Sequence, residues 1–242
     1  MPAGRLFLIP SSLSDEASVE ALLPPAVLAQ VRALDTFVVE NAKTARAFLA
    51  WCGHPRPMRE VAMTELNEHT PVESVLALLQ PLREGKDVGL LSEAGAPAVA
   101  DPGARLVAAA HAEGIRVVPR VGPSSILLAL MASGLEGQRF RFHGYLPVET
   151  GARRAKIEEL ERHSSLHDET QVFIETPYRN DALLADILQT CHEDTRLAIA
   201  AELTAPGESI RMERVGAWRA KPAKIGKRPA VFMMLGAPRR KR

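Results

Sequence analysis

Residues 92–103, SEAGAPAVADPG, form the segment of this sequence best suited to chemistry. Apart from the carboxylates of Glu93 and Asp101, their side chains are small, so a ligand can approach their backbone closely. They follow an apolar run, 88–91, that is typical of a strand buried on both faces. Ligands bind beyond the carboxyl ends of strands in a parallel sheet, so the segment predicts a ligand-binding loop. The alternative is an ordinary strand-to-helix connection, although such connections are usually shorter.

Three carboxylates are the acid–base candidates. Glu93 lies in the small-residue loop, and Glu40 ends the second predicted strand, where the alternative is a solvated or packing role. Asp101 precedes Pro102 and an apolar-rich run, a pattern that predicts a helix N-cap followed by proline at the first helical position. Glu93 and Glu40 are therefore the candidates for accepting a proton from a hydroxyl.

Several common site patterns are absent from the sequence. Residues 10–16 contain no glycine, which excludes the glycine-rich cradle of dinucleotide-binding folds, and there is no Walker lysine loop. Gly122-Pro123-Ser124-Ser125 lacks the second glycine of a nucleophile elbow. It predicts instead a helix N-terminus whose hydroxyls can bind a carboxylate or a ribose. The seven histidines show no metal-binding spacing, so no metal site is expected.

The elements that must position these residues change in type along the chain. Up to about residue 118, strands and helices alternate, which predicts a parallel sheet flanked by helices. The predicted strands are 5–10, 36–40, 61–64, 88–91 and 115–119, and the helices include 42–52, 71–83 and 104–113. Later strands outnumber helices, which predicts a mixed sheet and a domain boundary near residues 118–121. The later strands are 139–147, 171–175, 195–203, 210–218 and 229–235, with helices over 126–131, 153–163 and 181–191.

Composition indicates an ordinary globular protein of 242 residues, with 46% hydrophobic and 24% charged residues. The net charge of +1 is unevenly distributed, because residues 219–242 carry nine basic residues and no acidic one. No signal peptide and no apolar run long enough to span a membrane is present, so a cytoplasmic protein without membrane contact is expected. Cys52 and Cys191 are expected to be buried apolar side chains.

Three motifs resemble one family of enzymes. Residues 92–103 are similar to the motif Ser-Asp-Ala-Gly-Thr-Pro, three variable residues and Asp-Pro-Gly of the tetrapyrrole-methylase superfamily of S-adenosylmethionine-dependent methyltransferases. Residues 118–135 are similar to the Pro-Gly-Pro-Ser and Ala-Ser-Gly-Leu pair of that superfamily. Residues 142–147 are similar to its Phe-x-Gly-Phe-Leu-Pro. Order and spacing most resemble the branch of the 16S ribosomal RNA ribose 2′-O-methyltransferases, from about residue 5 to residue 238.

The resemblance implies an α/β, two-lobed tetrapyrrole-methylase-like fold. It has a parallel-rich N-terminal sheet and a mixed C-terminal sheet, with the ligand cleft between them. Residues 1–118 would form the N-terminal lobe, on the acceptor side and with part of the donor site. Residues 119–242 would supply the rest of the donor site, the contacts of a homodimer and the basic tail. S-adenosyl-L-methionine would contact Leu13, Ala96, Val99, Ser125, Ile126, Ile174, Leu203 and Ala230.

Two departures from the ribosomal branch concern the methyl acceptor. The branch carries Glu-Asp-Thr-Arg where this chain has Glu40-Asn41-Ala42-Lys43, and Thr-Pro-Ile-Gly-Asn where this chain has residues 9–13, Ile-Pro-Ser-Ser-Leu. Both loops would border the acceptor, so the acceptor can differ while the donor site is kept. The substrate-binding candidates are Ser11, Ser12, Asn41, Lys43 and Arg46.

The expected reaction is an in-line methyl transfer to an RNA ribose hydroxyl, with Glu93 or Glu40 as the catalytic candidate. The alternatives are a methyltransferase acting on a small molecule such as a tetrapyrrole, and a non-catalytic module that binds the donor. In the basic tail, residues 219–242, Lys221, Lys224, Lys227 and Arg228 can contact RNA phosphates. The alternative for that tail is a solvated terminus.

Overall fold

Two five-stranded sheets, one in each half of the chain, organise the computed structural model, which describes residues 2–237. The chain divides into two units, unit 1 (Met1–Ser124) and unit 2 (Ser125–Arg242). The sequence predicts the division a few residues earlier, after residue 118. Segment 119–124, which includes the first residues of Gly122-Pro123-Ser124-Ser125, thus lies in unit 1.

The sheet of unit 1 is entirely parallel, with the strand order β3-β2-β4-β1-β5. Its strands are β1 (Leu6–Leu8), β2 (Thr36–Val39), β3 (Ala62–Glu65), β4 (Val88–Leu91) and β5 (Val117–Pro119). The parallel sheet predicted from the alternation of strands and helices is therefore confirmed. The carboxyl ends of β2, β4 and β1 are neighbours, so the loops that follow these strands meet at one edge.

Helices cover both faces of this sheet. They are α1 (Val19–Leu22), α2 (Pro25–Ala33), α3 (Ala42–Trp51), α4 (Val72–Val75), α5 (Gln80–Arg83) and α6 (Gly103–Ala112). Side chains of one strand alternate between two buried clusters: Phe37 and Val39 join the cluster under α2 and α3, and Val38 joins the cluster under α6. The central strands are thus apolar on both faces.

The single helix predicted over residues 71–83 is wrong. A 3₁₀ segment, Leu76–Leu79, separates α4 from α5. Pro81 explains part of the difference, because it has no N–H to donate to the carbonyl four residues earlier in a continuous α-helix. Leu78, Leu79 and Leu82 still point into the core, which is why the apolar spacing looks helical, whereas Leu76 is exposed.

The sheet of unit 2 is mixed, as predicted, with the strand order β6-β7-β10-β8-β9. Only β6 and β7 pair in parallel among the described strands of this unit. The strands are β6 (Phe140–Tyr145), β7 (Thr170–Ile174), β8 (Arg196–Ala201), β9 (Ser209–Arg214) and β10 (Ala230–Leu235). The helices are α7 (Ser125–Ser133), α8 (Thr150–His167), α9 (Asn180–Thr190) and α10 (Val215–Ala220).

The predicted strand over residues 210–218 is wrong beyond Arg214. There the chain turns into α10, whose Val215 and Trp218 are both buried in the core of unit 2. Their spacing of three residues suits one face of a helix, whereas a strand would point them to opposite faces. The indole Nε1 of Trp218 donates to the carbonyl of Leu197 at 3.0 Å, which fixes the helix against β8.

Cys52 and Cys191 are buried and free. Burial raises the pKa of the Cys52 thiol to about 12, so this thiol stays protonated. Within residues 2–237, no helix combines the length and the apolar character needed to cross a bilayer.

Candidate functional site

The loop that follows β4 has a strained backbone. Gly95, Ala98 and Ala100 have φ values of 73°, 64° and 63°, in the left-handed region. This conformation costs an L-residue about 1–2 kcal/mol, and glycine avoids the cost. Alanine is the smallest residue that incurs it. Strain of this kind clusters at ligand sites, where the surrounding structure holds it in place.

Ser11 and Glu40 hold this loop. Ser11 and Gly95 exchange two backbone hydrogen bonds of 2.9 and 3.2 Å, and the Ser11 hydroxyl donates to the carbonyl of Ser92 at 2.9 Å. The Glu40 carboxylate accepts from the backbone N–H of Glu93 at 3.1 Å. Ser11 is only 3% exposed, so its hydroxyl stabilises the loop from the protein interior.

Asp101 closes the loop at the start of α6. Its Oδ1 accepts from the N–H of Gly103 at 2.6 Å. The predicted N-cap is wrong by one residue, because Pro102 occupies that position and the helix begins at Gly103. A Cβ on Gly103 would lie 2.7 Å from Oδ1 of Asp101, so a larger residue there would displace the Asp101 carboxylate. Burial raises the pKa of the Asp101 carboxyl, opposed by backbone N–H groups of Gly103 and Ala98. Its Oδ2 is buried and has no hydrogen-bond partner among residues 2–237.

Unit 1 contains a cavity of about 260 Å³ between the loop after β1, helix α3 and the end of β4. Three residues predicted for the site line it: Ser11, Ser12 and Glu93. The sequence prediction missed the others, which are Asp15, Thr44, Ala45, Ala47, Phe48, Trp51, Leu91 and Ser92. Thr44, Phe48 and Trp51 recur at helical spacing on one face of α3, a signal equally typical of core packing.

The lining of this cavity is largely apolar with a few polar groups, which suits a flat molecule that carries hydroxyls. Phe48 and Trp51 supply aromatic walls, and the Ser12 hydroxyl can donate or accept a hydrogen bond. The Thr44 hydroxyl donates to the carbonyl of Asn41 at 3.1 Å, so it can accept from a ligand. Glu93 is exposed, and its carboxylate can accept a proton from a hydroxyl bound in the cavity.

The predicted acceptor-binding residues of α3 lie outside the cavity lining. Asn41 caps the helix, since its Oδ1 accepts from the N–H groups of Lys43 and Thr44 at 2.8 and 3.3 Å. Lys43 and Arg46 are exposed on the first turns of the helix, and neither forms an ion pair within residues 2–237. Their charges are therefore available to an anion.

The residues of unit 1 that are predicted to bind the methyl donor lie in the strained loop or beside it. Val99 lies between the left-handed residues Ala98 and Ala100 and is 50% exposed. Ala96 is half-buried in the same loop. The Leu13 side chain lies 3.3 Å from the position that a Cβ on Gly95 would take. The structure thus brings Leu13 to the loop.

In unit 2, three residues predicted to bind the methyl donor lie at the edge of the sheet where β7 and β8 end and β10 begins. Val231 pairs with Ile174 on one side and with Ala200 on the other, which places Ala230 beside the ends of β7 and β8. Leu203 follows β8 in a loop that is tied to this edge by the hydrogen bond from Glu202 N to the carbonyl of Pro229, 2.9 Å.

Leu203 lies in a strained turn of its own. Glu202 and Thr204, on either side of it, have φ values of 52° and 70°. A left-handed conformation is a clear outlier for a β-branched residue such as Thr204. The Thr204 hydroxyl is buried and has no hydrogen-bond partner among residues 2–237.

Ser125 and Ile126, the remaining predicted donor residues, form the first turn of α7 and are half-buried. Helix α7 packs against β8, β9 and β10. No group of three or more His, Cys, Asp and Glu residues within the described chain is arranged to hold a metal ion.

The parallel sheet of unit 1, the mixed sheet of unit 2 and the strained loops define a class of protein with known members. The family model of Tetrapyrrole (Corrin/Porphyrin) Methylases matches residues 19–217, and the chain belongs to this family. Members of the family use S-adenosylmethionine as methyl donor.

Individual relatives are named Ribosomal RNA small subunit methyltransferase I. The protein of this name from Mesorhizobium japonicum is 37% identical over 76% of this chain, which spans 60% of the length of that relative. The one from Escherichia coli O157:H7 is 32% identical over 88% of this chain and 70% of its own length.

Solved structures agree on the fold. The methyltransferase CobJ has a TM-score of 0.60 at 18% identity, with 100% of this chain and 97% of CobJ covered. Uroporphyrin-III-C-methyltransferase from Thermus thermophilus has a TM-score of 0.54 at 20% identity, with coverages of 96% and 92%. At such identities the likeness concerns the fold alone.

Proposed function

We propose that this chain transfers a methyl group from S-adenosylmethionine to a ribose 2′-hydroxyl of small-subunit ribosomal RNA, in the cytoplasm. The observation that carries the proposal is the similarity to relatives named for this RNA, at 30–37% identity over 74–88% of the chain. The chain spans 60–74% of the length of these relatives. The similarity therefore covers the methyltransferase fold of both units.

The residues of the strained loops fit the methyl donor. Two buried oxygens without partners in the described chain, Asp101 Oδ2 and Thr204 Oγ1, lie next to the two strained turns. Each buried oxygen without a partner calls for an explanation, such as strain, a bound water or a functional role, and we assign these two to the donor site. When bound, S-adenosylmethionine supplies a methyl group on a sulfonium, ready for in-line displacement. The residues that would hold it are Leu13, Ala96, Val99, Ser125, Ile126, Ile174, Leu203 and Ala230.

Glu93 is the proposed catalytic base. Its carboxylate lines the cavity of unit 1, where a ribose hydroxyl can bind beside Ser12 and Thr44. Glu40 accepts a hydrogen bond from the Glu93 N–H, so we assign Glu40 the role of a positioning residue. Loss of a general base typically lowers the rate about 10²- to 10⁴-fold.

The loop after β1 and helix α3 bind the methyl acceptor in this proposal. Ser11 stabilises the loop after β4, and Ser12 contacts the acceptor. Asn41 caps α3 and so positions its first turn. Lys43 and Arg46 attract RNA phosphates, which bind by charge and not by sequence. A homodimer is part of the same proposal.

The test is methyl transfer from S-adenosyl-[methyl-³H]methionine to isolated small ribosomal subunits, naked small-subunit RNA and a uroporphyrinogen. We expect label in RNA, at a nucleotide whose 3′ phosphodiester resists alkali, as 2′-O-methylation requires. Label in the uroporphyrinogen alone would indicate a small-molecule methyltransferase. Donor binding by calorimetry without labelled product would indicate a binding module.

A second experiment tests Glu93. We expect Glu93→Gln to lower kcat at least about 100-fold and to leave the Kd for S-adenosylmethionine unchanged. Glu68→Gln, at an exposed carboxylate, is the matched control and is expected to keep full activity. Wild-type kcat in Glu93→Gln would exclude Glu93 as the base.

A further inference from the structure

One surface of unit 2 combines an exposed aromatic ring, a fixed guanidinium and three exposed ammonium groups. Tyr178 and Arg179 precede α9, and Lys221, Lys224 and Lys227 lie between α10 and β10. We call these five residues the tyrosine–lysine surface. Tyr178 is 72% exposed, and all three lysines are exposed.

A buried carboxylate fixes Arg179. The side chain of Glu175 is 0% exposed, and its Oε1 accepts from Nε and Nη2 of Arg179 at 2.9 and 2.6 Å. These hydrogen bonds raise the pKa of the Arg179 guanidinium, which remains charged. Its centre lies 5.5 Å from the centroid of the Tyr178 ring. Ring and guanidinium together form a preorganised pair of flat groups at the surface.

The lysine segment is attached to the residues that follow Arg179. Asn180 Nδ2 donates to the carbonyls of Gly226 and Arg228 at 3.1 and 2.7 Å. Asp181 Oδ1 accepts from the N–H groups of Ile225 and Gly226 at 2.7 and 3.1 Å. The part of the segment that carries Lys224 and Lys227 is therefore held beside Asn180 and Asp181, the residues that follow Tyr178 and Arg179.

The charge of this surface is available to an anion. Lys221, Lys224 and Lys227 form no ion pair within residues 2–237, whereas Arg228 lies 3.7 Å from Glu202. The carboxylate of Asp181 is exposed, but its Oδ1 is already bound to two backbone N–H groups. Arg239, Arg240 and Arg242, at the end of the basic tail, lie outside the described residues and play no part here.

We infer that the tyrosine–lysine surface binds single-stranded RNA, with an unstacked base on Tyr178 and Arg179 and phosphates on the lysines. Base stacking on aromatic and guanidinium planes, next to ammonium groups for the backbone, is how proteins bind single strands without reading sequence. The inference rests on the proposed function for the choice of RNA. It adds a docking surface made only of residues of unit 2, none of which lines the cavity of unit 1.

Fluorescence anisotropy with a labelled oligouridylate, over a series of salt concentrations, tests the aromatic part. We expect Tyr178→Ala to weaken binding about ten-fold, since stacking of one base on an aromatic ring supports affinity of that order. Tyr178→Phe keeps the ring and is expected to bind like the wild type. If Tyr178→Ala also binds like the wild type, the stacking role is excluded.

The same assay tests the lysines. We expect the double variant Lys224→Ala/Lys227→Ala to make the negative slope of log K against log salt shallower by about 1.4. Each lost contact between a lysine and a phosphate of a single strand removes about 0.7 from the magnitude of that slope. Lys86→Ala/Lys156→Ala removes the same charge elsewhere and is expected to leave the slope at its wild-type value. Equal slopes for the two double variants would overturn the inference.

Two controls separate this inference from others. Vesicles containing phosphatidylserine are expected not to bind, and binding to them with the same sensitivity to Tyr178 and the lysines would identify a membrane surface instead. Methyl transfer to RNA is measured in parallel for the wild type. If RNA binds through this surface but no methyl group is transferred, the proposed function alone is overturned. If methyl groups are transferred to RNA but the variants leave RNA affinity and its salt dependence unchanged, the inference alone is overturned.

Discussion

At the scale of single residues, two residues that are predicted to bind the methyl donor share an unusual backbone setting. Val99 lies between left-handed Ala98 and Ala100, and Leu203 lies between left-handed Glu202 and Thr204. Four such residues, none of them glycine, impose a cost of about 1–2 kcal/mol each. Both turns carry this cost beside residues that the family resemblance assigns to the donor site, which supports a role of both turns in binding.

The strain in the first turn can be removed with one substitution. We expect Ala98→Gly to raise the free energy of unfolding by about 0.5–1 kcal/mol, because relief of the left-handed strain exceeds the added entropy of the unfolded chain. Urea denaturation measures the change. Ala108→Gly, on the exposed face of α6, is the control and is expected to lower stability by about 1 kcal/mol. Equal losses in both variants would show that Ala98 is not strained.

Part of the candidate site could be predicted from residue types and part could not. The loop of residues 92–103 is visible in the sequence because small side chains are concentrated there directly after an apolar run. The cavity residues Phe48 and Trp51 give no such signal, since a helix face that lines a cavity looks like one that packs in a core. The pairing of Ser11 with Gly95 joins residues far apart in the chain, and no local pattern encodes it.

His143 makes the stability of unit 2 depend on pH. Burial lowers the pKa of its imidazole, opposed by the hydrogen bond between its Nε2 and Gln171 Oε1 at 2.7 Å. The unfolded chain, with a pKa of about 6.5, binds the proton more readily than the folded one. The contribution of the neutral form is therefore complete above about pH 6.5 and is lost as the pH falls toward the folded-state pKa.

We therefore expect the free energy of unfolding to decrease between about pH 7.5 and about pH 5.5, and His143→Gln to reduce that decrease. Chemical denaturation at several pH values measures it. His69→Gln replaces an exposed imidazole and is expected to keep the wild-type pH dependence. If His143→Gln and the wild type lose the same stability, His143 is not the titrating group.

At the scale of elements, the sequence predicts types better than boundaries. The strands of unit 1 were predictable because buried parallel strands are short apolar runs separated by helices with one apolar face. Two errors share a physical cause. The apolar pattern of Leu78, Leu79 and Leu82, like that of Val215 and Trp218, indicates that these side chains are buried, but not how the backbone between them is hydrogen bonded.

Helices α8 and α9 are joined by a buried ion pair. Arg153 Nε donates to Asp186 Oδ2 at 2.6 Å, and Arg154 Nε donates to Asp186 Oδ1 at 2.7 Å. The side chains of Arg153 and Asp186 are 6% and 4% exposed. We expect Asp186→Asn to lower the free energy of unfolding by about 3–5 kcal/mol, because a buried guanidinium loses its counter-charge.

Thermal or chemical denaturation measures this loss. Asp168→Asn is the matched control, because Asp168 pairs with Arg139 where both side chains are 59% exposed. Exposed pairs contribute about 0–1 kcal/mol, so little change is expected. Comparable losses in the two variants would mean that water already screens the buried pair.

At the scale of the whole molecule, charge and hydrophobic cores are distributed in different ways. Basic residues concentrate after residue 218, where the described lysines form part of the tyrosine–lysine surface. The sequence shows this concentration, but residues 219–231 contain no aromatic residue, and the adjacent Trp218 is buried. The fold supplies Tyr178 from a distant segment through the hydrogen bonds of Asn180. Long-range backbone anchoring of this kind is the step that local patterns could not predict.

Each unit has its own hydrophobic core, which predicts where a core substitution acts. Leu79, in a cluster of unit 1, and Ile187, in the cluster of unit 2, are both 0% exposed. Truncation of a buried Leu or Ile to Ala costs about 2–5 kcal/mol. Because a unit with a complete core unfolds cooperatively, we expect Leu79→Ala to accelerate amide exchange in residues 2–124 and Ile187→Ala in residues 125–237. Native-state hydrogen exchange with mass spectrometry measures both, and faster exchange across the whole described chain in either variant would show a single cooperative unit.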